Sequence, residues 1–155
     1  MAKILNLARL ENKLRRLPQV AEREIKAAME AAADDIVALA RSLAPEEDGD
    51  LKKSIGWTWG TAPRGSITLG KVVAAALGKG LTLTVYAGDS TAFYARWVEF
   101  GTAPHLNGGL FAGTQHPGTS AQPFFYPAYR ANRKGAKARI RRATRAAGRK
   151  VAAGG

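Results

Sequence analysis

At 155 residues, with 46% apolar and 23% charged residues, the chain has the length and composition of one globular domain, able to bury roughly 70% of its unfolded surface. It carries a formal net charge of +12, from 24 Lys and Arg against 12 Asp and Glu, and has no cysteine. Those figures argue against a disordered or collagen-like chain and exclude a disulfide framework, a thiolate metal site and a cysteine nucleophile. No apolar run is long enough to span a membrane, and Arg9, Glu11 and Lys13 interrupt the first apolar residues before a signal-peptide core could form. The expectation is a chain made and kept in a cytoplasm, with no membrane partner.

Taken in order, Leu7, Leu10, Leu14 and Leu17 recur at three- and four-residue steps. The pattern resumes after Pro18 as Ile25, Met29, Ala32, Ile36, Leu39 and Leu43. Both stretches read as amphipathic helix. Pro18 is expected to open a second helix after a short helical segment over residues 1–17, with a kink in one long helix as the alternative. Pro45 closes the helix. Residues 45–50 form an acidic turn whose Asp50 is placed to cap a short turn through Leu51 and Ile55.

Three segments then alternate as half-buried strands do: Ile55, Trp57 and Trp59; Ile67 and Leu69; and Leu81, Leu83 and Val85. A Gly60–Gly65 loop separates the first two, and Gly78-Lys79-Gly80 makes a turn between the last two, predicting an antiparallel meander. The run Val72–Leu77 is alanine-rich, but its place before that turn favours a long hairpin arm over a helix. Asp89 or Ser90 is expected to cap a short helix over Thr91–Glu99, with Phe93, Trp97 and Phe100 on one buried face and Gly101 ending it. Residues 102–122 lack periodicity and read as a binding or subunit-contact loop. Pro123 and Pro127 lead into a basic C-terminal helix or tail over 130–155, with Ile140, Ala143, Ala147 and Val151 as its apolar stripe and a frayed end.

The charge is uneven. Residues 1–99 carry 14 basic and 12 acidic side chains, and no acidic residue follows Glu99. Ten of the twelve net charges therefore lie from Arg130 onward. A single-sign block of this kind suits either a polyanion or a solvated helix face. Arg130, Arg133, Lys134, Lys137, Arg139, Arg141, Arg142 and Arg145 are its candidate interface or DNA-facing residues.

Groups able to support catalysis are scarce. His105 and His116 sit eleven apart in one loop without helical metal-ligand spacing and with no carboxylate nearby in sequence. No phosphate-binding glycine fingerprint or nucleophile elbow appears. Glu99 stands in the apolar stretch Trp97-Val98-Glu99-Phe100, where burial penalises a charged carboxylate unless hydrogen bonds compensate. It reads either as a general base or as a structural group bonded to backbone amides or to an arginine. The structural reading is favoured because no second catalytic group accompanies it. The cluster Phe124, Phe125, Tyr126 and Tyr129 reads as core rather than as a base-stacking platform. No cofactor, metal or catalytic site is expected.

Three patterns resemble a known family. Tyr94-Ala95-Arg96-Trp97-Val98-Glu99-Phe100-Gly101-Thr102 resembles the "YA-x-x-VEFGT" signature of tail-completion and head-tail joining proteins of long-tailed bacteriophages, a group of tail terminator-like minor tail components. Ala121-Gln122-Pro123-Phe124-Phe125-Tyr126-Pro127-Ala128 resembles its "QPF-x-x-PA" segment, and Pro45, Gly49, Leu51, Ser54 and Ile55 resemble its "P-x-x-x-G-x-L-x-x-S-I" turn. The resemblance implies one α+β domain over 1–155. In it a small antiparallel sheet with a long hairpin is packed by an N-terminal helix, a short central helix and a basic C-terminal helix.

It also implies a non-enzymatic virion protein of the tail and neck, assembled in the host cytoplasm. Such a protein forms a homohexameric ring between the tail tube protein and the head-tail connector or stopper, with genomic DNA passing through the channel. Gly101 and Thr102 would turn the chain, Glu99 would fix that turn, and Pro123, Phe124, Pro127 and Ala128 would anchor the last helix. The long insert around Asn107–Thr114 and the basic tail depart from the pattern. Two competing expectations come from the residues alone: a cytoplasmic DNA-binding architectural protein using the basic helix, and a metal-dependent hydrolase using His105 and His116.

Overall fold

The computed structural model describes the backbone of residues 7–47, 49–74 and 81–153, and the side chains of 19–47, 49–68 and 82–153. Its long element is helix α1 (Leu7–Leu43), 37 residues that run continuously through Pro18. One continuous helix thus replaces the two-helix expectation. A proline removes only one donor from the ladder, and the bonds of the turns on either side carry the helix past it. The 1–17 segment is therefore part of α1 from Leu7 on, and the side chains of its leucine stripe lie outside the described residues. Ile25, Met29, Ala32, Ala33, Ile36, Val37 and Ala40 form the buried stripe of α1. Leu43 is exposed, because the helix ends there and Ala44 takes the buried place.

After the acidic turn comes one helical turn, α2 (Asp50–Lys53). Its N-cap is Gly49 at φ 77°, not Asp50, whose carboxylate instead pairs with Lys53 at 3.4 Å. The chain enters α2 from the left-handed region, which glycine alone adopts freely, and Asp50 is thereby carried inside the turn. Ser54 donates to Leu51 O and accepts the Gly88 N–H, and Arg41 donates to Ile55 O at 2.7 Å, tying the end of α1 to the start of the sheet.

Strands β1 (Gly56–Trp59), β2 (Ile67–Ala74) and β3 (Leu81–Ala87) form an antiparallel sheet of order β1-β3-β2. This corrects the meander: β3 is central, and β1 and β2 run parallel to each other on its two edges. The 60–66 connection has to return from the Trp59–Leu83 end of the sheet to the Ile67–Ala87 end. Thr84, buried in the middle strand, donates to Gly60 O at 2.6 Å and holds the start of that connection. The strand arm to Ala74 is present, with an irregularity between Thr68 and Gly70, whereas the expected Gly78-Lys79-Gly80 turn lies outside the described residues.

One face of the sheet, with Trp57, Trp59, Leu83 and Val85 in register, turns to α1. Both indoles reach over it: Trp57 Nε1 donates to Asp34 at 2.8 Å and Trp59 Nε1 to Glu30 at 3.1 Å. Helix α3 (Ala95–Phe100) follows a turn at residues 91–94, and Asp89 Oδ1 accepts the N–H groups of Thr91 and Ala92 there. Asp89 thus caps the turn, and the helix starts four residues later than expected. A two-stranded hairpin, β4 (His105–Leu106) with β5 (Gln115–His116), organises the loop that had shown no periodicity. Last comes α4 (Phe125–Ala152), 28 residues that begin before Pro127 and pack along α1 and beside β2. Pro127 sits in the first turn, where a missing N–H costs nothing. The fold is α+β, with the small sheet covered by the N- and C-terminal helices.

Candidate functional site

Two of the motif segments meet in one place. Glu99, only 2% exposed, accepts the backbone N–H groups of Phe124 and Phe125 through Oε2, at 2.8 and 2.9 Å, and that of Tyr126 through Oε1, at 2.9 Å. These are the opening donors of α4, which have no partner inside the helix. A carboxylate there satisfies three orphan N–H groups and faces the positive end of a long helix dipole. Glu99 is thus an N-cap supplied from another helix, and it fixes α4 against α3. Val98 O accepts the Gln122 N–H at 2.8 Å, and Thr102 and Thr119 exchange two backbone bonds at 3.0 and 3.1 Å. Phe124, Phe125 and Ala128 are fully buried beside this junction, Tyr126 and Pro127 partly so, and Pro123 is exposed.

Gly101 turns the chain out of α3 at φ 70°, ψ −179°, a region essentially reserved for glycine. A Cβ there would stand 2.6 Å from Thr119 O and 2.8 Å from Ala121 N. Ala95 is buried against Gly88, and Tyr94 precedes α3 half-buried.

The aromatic residues of this helix are the main correction to the sequence reading. Phe93, Trp97 and Phe100 are each about half exposed and do not form a buried face. Phe93 meets Trp97 edge-on at 5.5 Å, and Phe100 meets Tyr126 at 5.7 Å. α3 lies at the rim of the body, with Ala95, Val98 and Glu99 turned inward, so the larger rings are left outside. Beside them lies a groove of about 660 Å³. The acidic turn, Tyr94, the α3 residues Trp97 and Val98, and the base of the β4–β5 hairpin line it.

That base brings the two histidines together. His105 and His116 are cross-strand partners whose rings stack at 4.9 Å and 17°. His105 Nδ1–H donates to Ala103 O, and His116 Nδ1 accepts the Gly118 N–H. One nitrogen of each ring is thus engaged locally, and among the described residues no group of three or more His, Asp or Glu side chains could hold a metal ion. Gly118, at φ 84°, packs directly on Thr102 O. Beyond the base, the tip carries Leu106, Leu110 and Phe111, exposed by 73%, 99% and 70%. Sequence reasoning marked 102–122 as a binding or subunit-contact loop but missed its hairpin form and exposed apolar tip; their one signal was that the segment contains no Lys, Arg, Asp or Glu.

On α4 the basic residues divide by face. Arg139 pairs with Asp35 at 2.8 Å and Lys150 with Glu24 at 2.6 Å, both across to α1. Arg139 therefore has a partner within the chain. Arg130, Lys134, Lys137, Arg141 and Arg145 follow the three- and four-residue steps of one exposed stripe, flanked by exposed Arg133, Arg142 and Arg149. Among the described residues no helix is long and apolar enough to cross a membrane.

No curated protein and no solved structure matches the chain. Residues 8–101, more than half of its length, do match the family described as "Bacteriophage HK97-gp10, putative tail-component", and the chain belongs to that HK97-gp10-like family of phage tail components.

Proposed function

We propose that the protein is a tail terminator or tail-completion component of a tailed bacteriophage. In this reading residues 1–155 act as one structural, non-enzymatic domain that caps the tail tube and joins the tail to the head-tail connector. It works as a homohexameric ring in the virion, after assembly in the host cytoplasm. Six copies follow from the tail-tube symmetry of the proteins its motifs resemble. The observation that carries the reading is the apolar face of α3 and the hairpin tip. Large apolar side chains left exposed in two such places suit a protein interaction site, as an assembling tail component requires. The motif residues Tyr94 to Thr102 and Pro123 to Ala128 then act by holding the junction, and the α4 stripe faces either DNA in the channel or an acidic ring neighbour.

Native mass at physiological salt, with and without purified tail tubes, tests this. A six-membered ring, or monomers that become one on tube ends, is the expected result. A chain that stays monomeric or dimeric and ignores tubes overturns it.

The nine exposed cations on α4 favour a second reading, an architectural protein that binds duplex DNA through phosphate contacts. Deleting α4 would also strip α1 of its packing, so the discriminating variant replaces Arg130, Lys134, Lys137, Arg141 and Arg145 with glutamine. Steeply salt-dependent DNA binding by a tube-indifferent chain, lost in that variant, would select this reading.

A further inference from the structure

We propose that the tip of the β4–β5 hairpin of one copy seats in the α3 groove of the next copy, making a head-to-tail contact between identical subunits. The inference rests on the ring reading above and names the interface that closes the ring.

The tip is exposed, yet its backbone is fixed. Asn107 N–H donates to Thr114 O and Asn107 Nδ2 to Thr114 Oγ1, both at 2.8 Å, while Thr114 Oγ1 and the Thr114 N–H both donate to Phe111 O. Internal bonds of this kind hold one shape without a core beneath it, so little ordering entropy remains to be lost on binding. What that shape displays is Leu110, which touches almost nothing in its own chain, and Phe111 beside it. The tip's own groove is out of reach, because His105 and His116 at the hairpin base already form part of its wall.

Apolar surface and charge are compatible. Leu106, Leu110 and Phe111 on the tip and Trp97 in the groove each leave on the order of 100 Å² in water. Tip and groove then cover each other's apolar side chains, and together these four supply on the order of a quarter of the roughly 1,600 Å² that a stable interface buries in total. The arm from 102 to 122 carries no charged side chain other than its histidines, and Glu47 is the one acidic or basic side chain among the groove residues besides those histidines. Seating one in the other therefore buries no opposed or orphaned charge in the centre and leaves Glu47 at the wet rim. Tip and groove are different surfaces, so the contact is heterologous and propagates from copy to copy until it closes.

A mixing experiment separates this arrangement from any other. The double variant Leu110→Asp/Phe111→Asp spoils the tip, and Ala103→Trp blocks the groove from an exposed position. Both are checked by thermal melting for an intact monomer. Each alone is expected to lose the ring, and a mixture of the two is expected to form dimers and nothing larger, since one tip and one groove remain usable. In the cysteine-free background, Leu110→Cys and Ala103→Cys combined in one chain should give a disulfide-linked ladder up to the full ring. Rings that persist in the tip variant, or a mixture that yields no dimer, overturn the hairpin seat and leave the terminator reading standing. Tip-dependent assembly by chains that ignore tail tubes overturns the terminator reading alone. A wild-type chain that stays monomeric at all concentrations, with and without tail tubes, overturns both.

Discussion

The body of the molecule and its α3–hairpin edge handle apolar side chains in opposite ways. In the body, α1, the central strand and α4 enclose theirs, and the polar groups at the boundary find partners, as Trp57 does with Asp34 and Arg139 with Asp35. At the edge, rings and leucines stand in solvent on a backbone held by hydrogen bonds and special glycines rather than by packing. The body's contacts supply stability, and the edge's rigidity without burial supplies a shaped surface for another chain. Glu99 sits where the two meet, which is why one carboxylate can set both the start of α4 and the exit from α3.

Breaking that hinge should have the largest effect. Glu99→Ala leaves the Phe124, Phe125 and Tyr126 N–H groups without their acceptor and is expected to cost about 3 kcal/mol or more, read as a fall in the urea midpoint. Glu99→Gln keeps one carbonyl acceptor but turns an amide donor toward other donors, so it should recover only part of that loss. If Glu99→Ala matched wild type, the carboxylate would not be holding α4, and the comparison would lose its hinge. Next comes Gly101→Ala, expected to cost about 2–3 kcal/mol because the residue combines a glycine-only backbone conformation with backbone atoms where a Cβ would stand.

Within the body the effects are smaller. Trp57→Phe keeps most of the ring and loses the bond to Asp34, so a loss of about 1 kcal/mol is expected, with Asp34→Asn adding little once the indole donor is gone. In the acidic turn, a hydrogen bond from Lys52 and its charge hold the Glu46 carboxyl below its ordinary 4.5. A depressed folded-state value stabilises the protein above 4.5 and ceases to do so as pH falls through the folded value. Wild type should therefore exceed Glu46→Gln slightly in Tm at neutral pH and converge with it in acid. The group is fully exposed, so salt should erase the difference.

The same contrast decides what was legible in the sequence. The 3.6-residue pattern marked α1 and its buried stripe, and two-residue alternation marked the three strands, because these signals reflect local geometry. Strand order was not legible. β1 pairs with β3 rather than with the nearer β2, so Thr84 meets Gly60 across 24 residues, and no spacing encodes that. The aromatic spacing of Phe93, Trp97 and Phe100 correctly showed a face but not what covers it, since periodicity reports which residues point together and not whether the chain itself supplies the other side. The stacking of His105 on His116 was hidden for a similar reason: strand pairing over eleven residues needs the turn geometry of Gly109 and Gly113, which composition showed only as a glycine-rich loop.

The smallest expected effect is the sharpest test of the division. Leu110→Asp places a charge on a side chain that is 99% exposed, so monomer stability should stay within about 0.5 kcal/mol of wild type. The assembly, by contrast, should be lost, because the same charge would have to enter an apolar groove without a counter-charge. A monomer clearly destabilised by Leu110→Asp would mean that the hairpin tip packs on its own body and that the edge is part of the core. A monomer unchanged in stability, with its ring gone, would place the energetic role of Leu110 in the neighbouring copy.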